Sequence, residues 1–207
     1  MPAVASSNIA HTQATDHRIL RTPLQGAPAR SVQALAQLRR FPPTDNKDSD
    51  RDLALAWQSL AEEGMEPAVP EAEKYLRAAL AERPDDATLL TAMAFIVQKR
   101  GETRQAKSMY EQALAQDPLA TVAAANLGVI AAQAGEMDRA IVLWKATFDR
   151  QPALSAIGIN LAKALCAKSK VDEARVEVRR VLDFNPDLPD AEKIWQELNT
   201  SPSKCSP

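Results

Sequence analysis

The sequence predicts an all-α chain: a solenoid of four helix–turn–helix repeats closed by a capping helix. Three observations predict it. Pro84, Pro118, Pro152 and Pro186 recur every 34 residues. Ala72, Ala106, Ala140 and Ala174 hold the same register, twelve residues before each proline. Residues 51–199 place apolar side chains at i, i+3, i+4 and i+7, with no sustained two-residue alternation of β-branched residues.

Two more columns keep step. Leu76, Tyr110, Trp144 and Val178 stand eight residues before each proline, and Leu80, Leu114, Phe148 and Leu182 stand four before. Four columns in register over four copies define a repeat rather than a coincidence. A lone repeat of this size cannot bury its own apolar face, so stacking is expected.

Residues 1–50 form an expected extended arm and linker. Ser31 is a candidate N-cap for a short amphipathic helix through Val32, Leu35 and Leu38. Phe41-Pro-Pro-Thr-Asp-Asn-Lys-Asp-Ser-Asp50 reads as linker, because Pro-Pro stops a helix and the rest is polar. Residues 51–199 hold the four repeats and the cap, and residues 200–207 read as a frayed tail.

Within the repeats, small residues (Ala94, Gly128, Ala162 and the four register alanines) mark where two helices cross closely. Gly101 and Gly135 are expected to end the first helix of their repeats in a left-handed turn. The terminal proline cannot continue the second helix. Asp85-Asp86 supply an N-cap for the next helix. The first helix of repeat one aligns two ways, on Leu53-Ala54-x-x-Trp57 or on Trp57-x-x-Leu60-Ala61. The first is preferred because Pro67 and Pro70 demand a loop at 64–69. Pro189 to Asn199, with Ile194, Trp195 and Leu198, reads as the capping helix.

Composition excludes several functions. The 207 residues carry a net charge of −2, so no basic field points to nucleic acid. Two Cys, Cys166 and Cys205, build neither a disulfide framework nor a four-ligand zinc site. No apolar run is long enough to span a membrane. Met1 to Arg18 lacks the basic start and apolar stretch of a signal peptide. No nucleophile–base constellation or phosphate loop stands out, so no enzymatic activity is expected.

The columns resemble the tetratricopeptide repeat. Repeat two reads Leu90, Met93-Ala94, Val97, Gly101, Ala106, Tyr110, Ala113, Pro118. Repeat three reads Ala124, Leu127-Gly128, Ala131, Gly135, Ala140, Trp144, Thr147, Pro152. Repeat four reads Gly158, Leu161-Ala162, Leu165, Ser169, Ala174, Val178, Val181, Pro186. The resemblance implies a right-handed superhelix with the first helix of each repeat, helix A, lining a concave groove for a protein or peptide partner. By register that groove takes Thr91, Phe95, Gln98 and Lys99 from repeat two, and Ala125, Asn126, Val129 and Gln133 from repeat three. Repeat four gives Ile159, Asn160 and Lys163. Asn126 and Asn160 are 34 apart and project equivalently, each with a donor and an acceptor for a peptide backbone. Phe95 reads either as a groove anchor or as packing between helices. Lys99 and Lys163 stand in different register, so no carboxylate clamp is expected.

The arm carries one chemically dense string, His11-Thr-Gln-Ala-Thr-Asp-His17-Arg-Ile. From spacing alone it reads as two solvated histidines or as metal ligands. It is similar to a segment of bacterial multihaem c-type cytochromes with C-terminal tetratricopeptide repeats. In that family a Cys-x-x-Cys-His haem-attachment motif commonly precedes Met-Pro, and this chain begins Met1-Pro2. The resemblance implies His11 and His17 as axial haem ligands, Arg18 as a propionate partner, and a periplasmic location. It also implies a haem-bearing N-terminal part upstream, with Met1 an internal methionine. No Cys-x-x-Cys-His is present, so this chain is expected to bind no haem c by itself, and expression as given implies a cytoplasmic product.

Overall fold

The computed structural model describes residues 3–4, 14–15 and 47–200. The chain divides into two compact units, Met1–Leu38 and Arg39–Pro207. In the first, β1 (Ala3–Val4) pairs antiparallel with β2 (Ala14–Thr15), Ala3 opposite Thr15 and Val4 opposite Ala14. Two-residue strands are too short to register as alternation, and the sequence predicts none here. His11, His17, the short helix expected through Val32–Leu38, the Pro-Pro stop and the tail at 201–207 lie outside the described residues.

The described secondary structure of the second unit is helix. It runs α1 (Lys47–Glu62), α2 (Ala68–Glu82), α3 (Ala87–Lys99), α4 (Thr103–Gln116), α5 (Thr121–Gln133), α6 (Met137–Arg150), α7 (Ser155–Ala167), α8 (Val171–Phe184) and α9 (Pro189–Thr200). Helices pair as α1 with α2, α3 with α4, α5 with α6 and α7 with α8. Each second helix then packs on the first helix of the next pair, α9 closes on α8, and α1 also touches α3 directly.

The proline metronome has a structural counterpart. The second helices end at Glu82, Gln116, Arg150 and Phe184, each two residues before its proline. The first helices restart at Ala87, Thr121 and Ser155, and α9 starts at Pro189 in the same register. The capping helix therefore stands where a fifth first helix would.

Two boundaries differ from the sequence reading. Helix α1 begins at Lys47, inside the expected linker, because the Pro-Pro stop lies before it and a polar first turn is no obstacle to a helix. The loop after it covers only 63–67, with Val69 and Pro70 already helical in α2. Gly64 has φ +87°, the left-handed role that Gly101 (+85°) and Gly135 (+79°) play in the next repeats. It stands eight residues before the buried Ala72, where Gly101 stands five before Ala106, so repeat one carries three extra residues in its turn. Ser169 holds the equivalent turn of repeat four at φ +59°, a conformation that costs a side chain on the order of 1 kcal/mol.

The core follows the register columns. Ala72, Ala106, Ala140 and Ala174 are fully buried, as are Leu76, Tyr110 and Val178. Thr147, in the column of Ala113 and Val181, is also fully buried, and its hydroxyl donates to the Leu143 carbonyl at 2.8 Å. That internal bond removes the penalty of a lone buried hydroxyl.

Helices α5 and α6 cross closely. A Cβ at Gly128 would overlap the Trp144 indole, lying 2.8 Å from Cδ1. The indole Nε1 donates to the Ala125 carbonyl at 3.0 Å, one turn away on α5. Gly128→Ala should therefore destabilise although alanine is the better helix former. The clash costs about 1–3 kcal/mol and the propensity gain recovers only about 1 kcal/mol. Urea denaturation should show a lower midpoint with an unchanged m-value. A neutral or stabilising result would remove the close-crossing account.

Candidate functional site

A cleft of about 260 Å³ opens between the first helices of repeats one, two and three. Three helices build the cleft. Helix α1 contributes Leu55, Gln58 and Glu62, spaced so that all three share one face. Helix α3 contributes its first two turns from Ala87 through Thr88 and Thr91 to Ala92, and α5 contributes its N-terminal turn, Thr121 to Ala123, with Asp117 and Ala120 leading into it. Short side chains on α3 and α5 leave the space open. Val122 on the wall is 53% exposed, although it is apolar.

Asp86 fixes the α3 end of the cleft. Its carboxylate accepts from the backbone N–H of Thr88 and of Leu89, both at 3.0 Å, and so caps the helix. It also takes the Arg51 guanidinium at 2.7 Å, which ties α1 to the start of α3. Burial works to raise its pKa, but Arg51 and the two backbone donors outweigh it and hold the carboxyl below its ordinary value. The register equivalents Ala120 and Leu154 offer no side-chain cap.

Of the sequence-expected groove residues, Thr91 lines the cleft, the others on α3 and α5 lie further along those helices, and Ile159, Asn160 and Lys163 stand on α7, outside it. Phe95 follows Thr91 by four residues and Asn126 follows Val122 by four, so each continues the cleft-bearing face. Thr91 is the residue of that set that lines the cleft itself, with its hydroxyl donated to the Ala87 carbonyl at 2.7 Å. Phe95, Asn126, Val129 and Asn160 are half-buried, while Gln133 and Lys163 are exposed. Ile159 is buried in the core of repeats three and four, and Val129 packs against that core. The Ala125 carbonyl is occupied by Trp144.

Lys99 is engaged in structure. Its ammonium donates to the Ala61 carbonyl at 3.2 Å and meets Glu66 at 2.9 Å. A cation at the C-terminal turn of α1 also suits the helix dipole there.

Gln98 and Asn126 are brought together through Tyr110 of α4. The buried phenol donates to the Gln98 amide oxygen at 3.1 Å, and the Asn126 side chain lies beside it from α5. Burial pushes the Tyr110 hydroxyl well above its ordinary pKa, Asn126 works against that, and the Glu62 charge adds to it. The phenol is thus a neutral hydrogen-bonding node joining α3, α4 and α5.

Among the described residues no group of three His, Cys, Asp or Glu is placed to hold a metal ion. Among them, no helix is long and apolar enough to cross a membrane. His11 and His17 lie outside the described residues. The cleft positions Thr88 and Val122 share a register column 34 residues apart. That column was the available sequence signal, but where along it a recess opens is decided by stacking.

Stacked helix pairs with glycine turns and small-residue crossings define a tetratricopeptide-repeat solenoid. Solved structures of that type are similar to this chain. One is MamA from Desulfovibrio magneticus, 17% identical with a TM-score of 0.61, covering 75% of this chain and 85% of that one. Another is PilF from Pseudomonas aeruginosa, 22% identical with a TM-score of 0.65, covering 73% and 68% respectively. A tetratricopeptide repeat protein from Parabacteroides merdae is 18% identical with a TM-score of 0.59, covering 73% and 60%. No family model and no curated protein matches the chain.

Asp86 gives a test of the α1–α3 joint. Its folded pKa is depressed, so its contribution is fully present above the unfolded value of 3.8 and is lost as pH falls below it. Asp86→Asn keeps a capping side chain and should cost at most about 1 kcal/mol near neutral pH, while flattening the acid limb of the stability profile. Asp86→Ala should cost about 1 kcal/mol more through loss of the cap. Equal stability of the two variants would remove the capping assignment.

Proposed function

We propose that this chain is a non-catalytic scaffold that holds a segment of a partner protein on its first-helix face. One observation carries the reading: the cleft across α1, α3 and α5, with an exposed Val122 on its wall. Three separate repeats contribute to one recess, which is what an elongated ligand needs and what a single helix pair cannot offer. Phe95 and Asn126 continue the contact surface along the same helices, and Asn160 and Lys163 continue it onto repeat four.

Peptides selected from a displayed random library on the intact chain provide the ligand for a test. Thr88→Trp and Val122→Trp place bulk in the cleft at exposed positions and should leave stability within about 0.5 kcal/mol. Binding of the selected peptides should fall at least ~10-fold, a loss of about 1.4 kcal/mol. Unchanged affinity in both variants would sink the cleft assignment.

A second reading rests on the His11–Ile19 string alone: a haem-ligating arm that serves electron transfer when a haem-bearing partner or upstream part is present. Titration of the chain with haem, followed at the Soret band, tests it. A band shift that survives in the His11→Ala/His17→Ala double variant would eliminate this reading.

A further inference from the structure

We infer that the cleft selects a partner segment that presents a lysine or arginine beside an apolar side chain. The inference rests on the cleft being the partner site, and it adds the chemistry of the ligand.

Two carboxylates stand on the walls, Glu62 at the end of α1 and Asp117 before α5, and no Lys, Arg or His lines the cleft. Neither carboxylate forms an ion pair among the described residues. Asp117 accepts only the Leu119 backbone N–H, at 2.9 Å, and both side chains are exposed.

Several other acids of these repeats are paired. Glu66 is paired with Lys99, Glu73 with Arg77 and Arg100, Asp86 with Arg51, and Glu111 and Glu136 with Arg139. The nearby cations of this face are therefore already committed: Arg51 to the Asp86 cap and Lys99 to Glu66 and the end of α1.

The physical consequence is a negative recess with apolar parts in its walls. Low-dielectric walls concentrate the field of unpaired charges and raise the local concentration of a complementary ion. A lysine or arginine entering the cleft gains two carboxylates without having to displace an internal partner. An acidic segment meets like charge and is discriminated against. Val122 and Leu55 supply the contact for an apolar neighbour of that cation.

The library selection reads this directly. Peptides that depend on the cleft, judged by loss of binding to Val122→Trp, should be enriched in Lys or Arg adjacent to an apolar residue. Glu62→Gln with Asp117→Asn should weaken them by on the order of 10-fold at low ionic strength. Raising salt should weaken the parent chain and leave the double variant nearly unchanged. Replacing the peptide's own Lys or Arg by Gln should reproduce the loss, which separates recognition from any change in folding. Cleft-dependent peptides that are neutral or acidic, or that bind the double variant equally well, overturn the inference and leave the cleft reading standing. Selection of peptides that are all indifferent to Val122→Trp overturns both.

Discussion

At residue 128 there is no room for a side-chain carbon. The indole of Trp144 occupies the volume that a Cβ would need, and its N–H closes on the Ala125 carbonyl of the facing helix. That close approach is the constraint on which the stack depends. The register alanines are fully buried on all four second helices. Helices that pack on small residues approach further and cross at a more defined angle than helices held apart by leucines. Because the crossing repeats every 34 residues, small angular preferences accumulate into one extended face. Gly158, one turn before Ala162 (the register equivalent of Gly128), is likewise closed off by the Phe148 ring and Val181.

Polar contacts add register to this apolar stack. Lys107 reaches Glu136, Lys168 reaches Asp138 and Arg180 reaches Asp149, each pair linking one repeat to the next, while Arg180 also holds Glu177 within α8. Exposed pairs of this kind contribute little stability individually. Glu177 is the exception in burial, at 5% exposed, and is held by Lys145 and Arg180 together. The Arg180 guanidinium also lies 4.7 Å from the centre of the Phe148 ring, so the same side chain serves the ion pair and the core.

The cleft follows from how the first three repeats differ from the regular pattern. Repeat one has three extra residues in its turn, and its first helix is joined to α3 through Arg51 and Asp86. The next cap position is Ala120, which offers no carboxylate, so the start of α5 lacks the equivalent tie. An open recess between α1, α3 and α5 results, walled by threonines, alanines and Val122. Lys99, which register alone would assign to ligand contact, is instead spent on the end of α1.

The linear order of residues determined the fold class. Prolines, alanines and glycines at fixed intervals are backbone instructions, and each acts through neighbours within one helix pair. It also determined which face of α3, α5 and α7 the candidate ligand residues share, because helical periodicity is a local property. It did not determine where on that face a recess would open. That depended on three helices from separate repeats, on an insertion of three residues in one turn, and on which charged side chains found partners across the stack. Gln98 and Asn126 could be placed on a face by counting, but their meeting at the Tyr110 hydroxyl is a contact between α3, α4 and α5 that only packing creates. Local spacing fixes direction, and tertiary packing decides which of the groups so directed remain available to a partner.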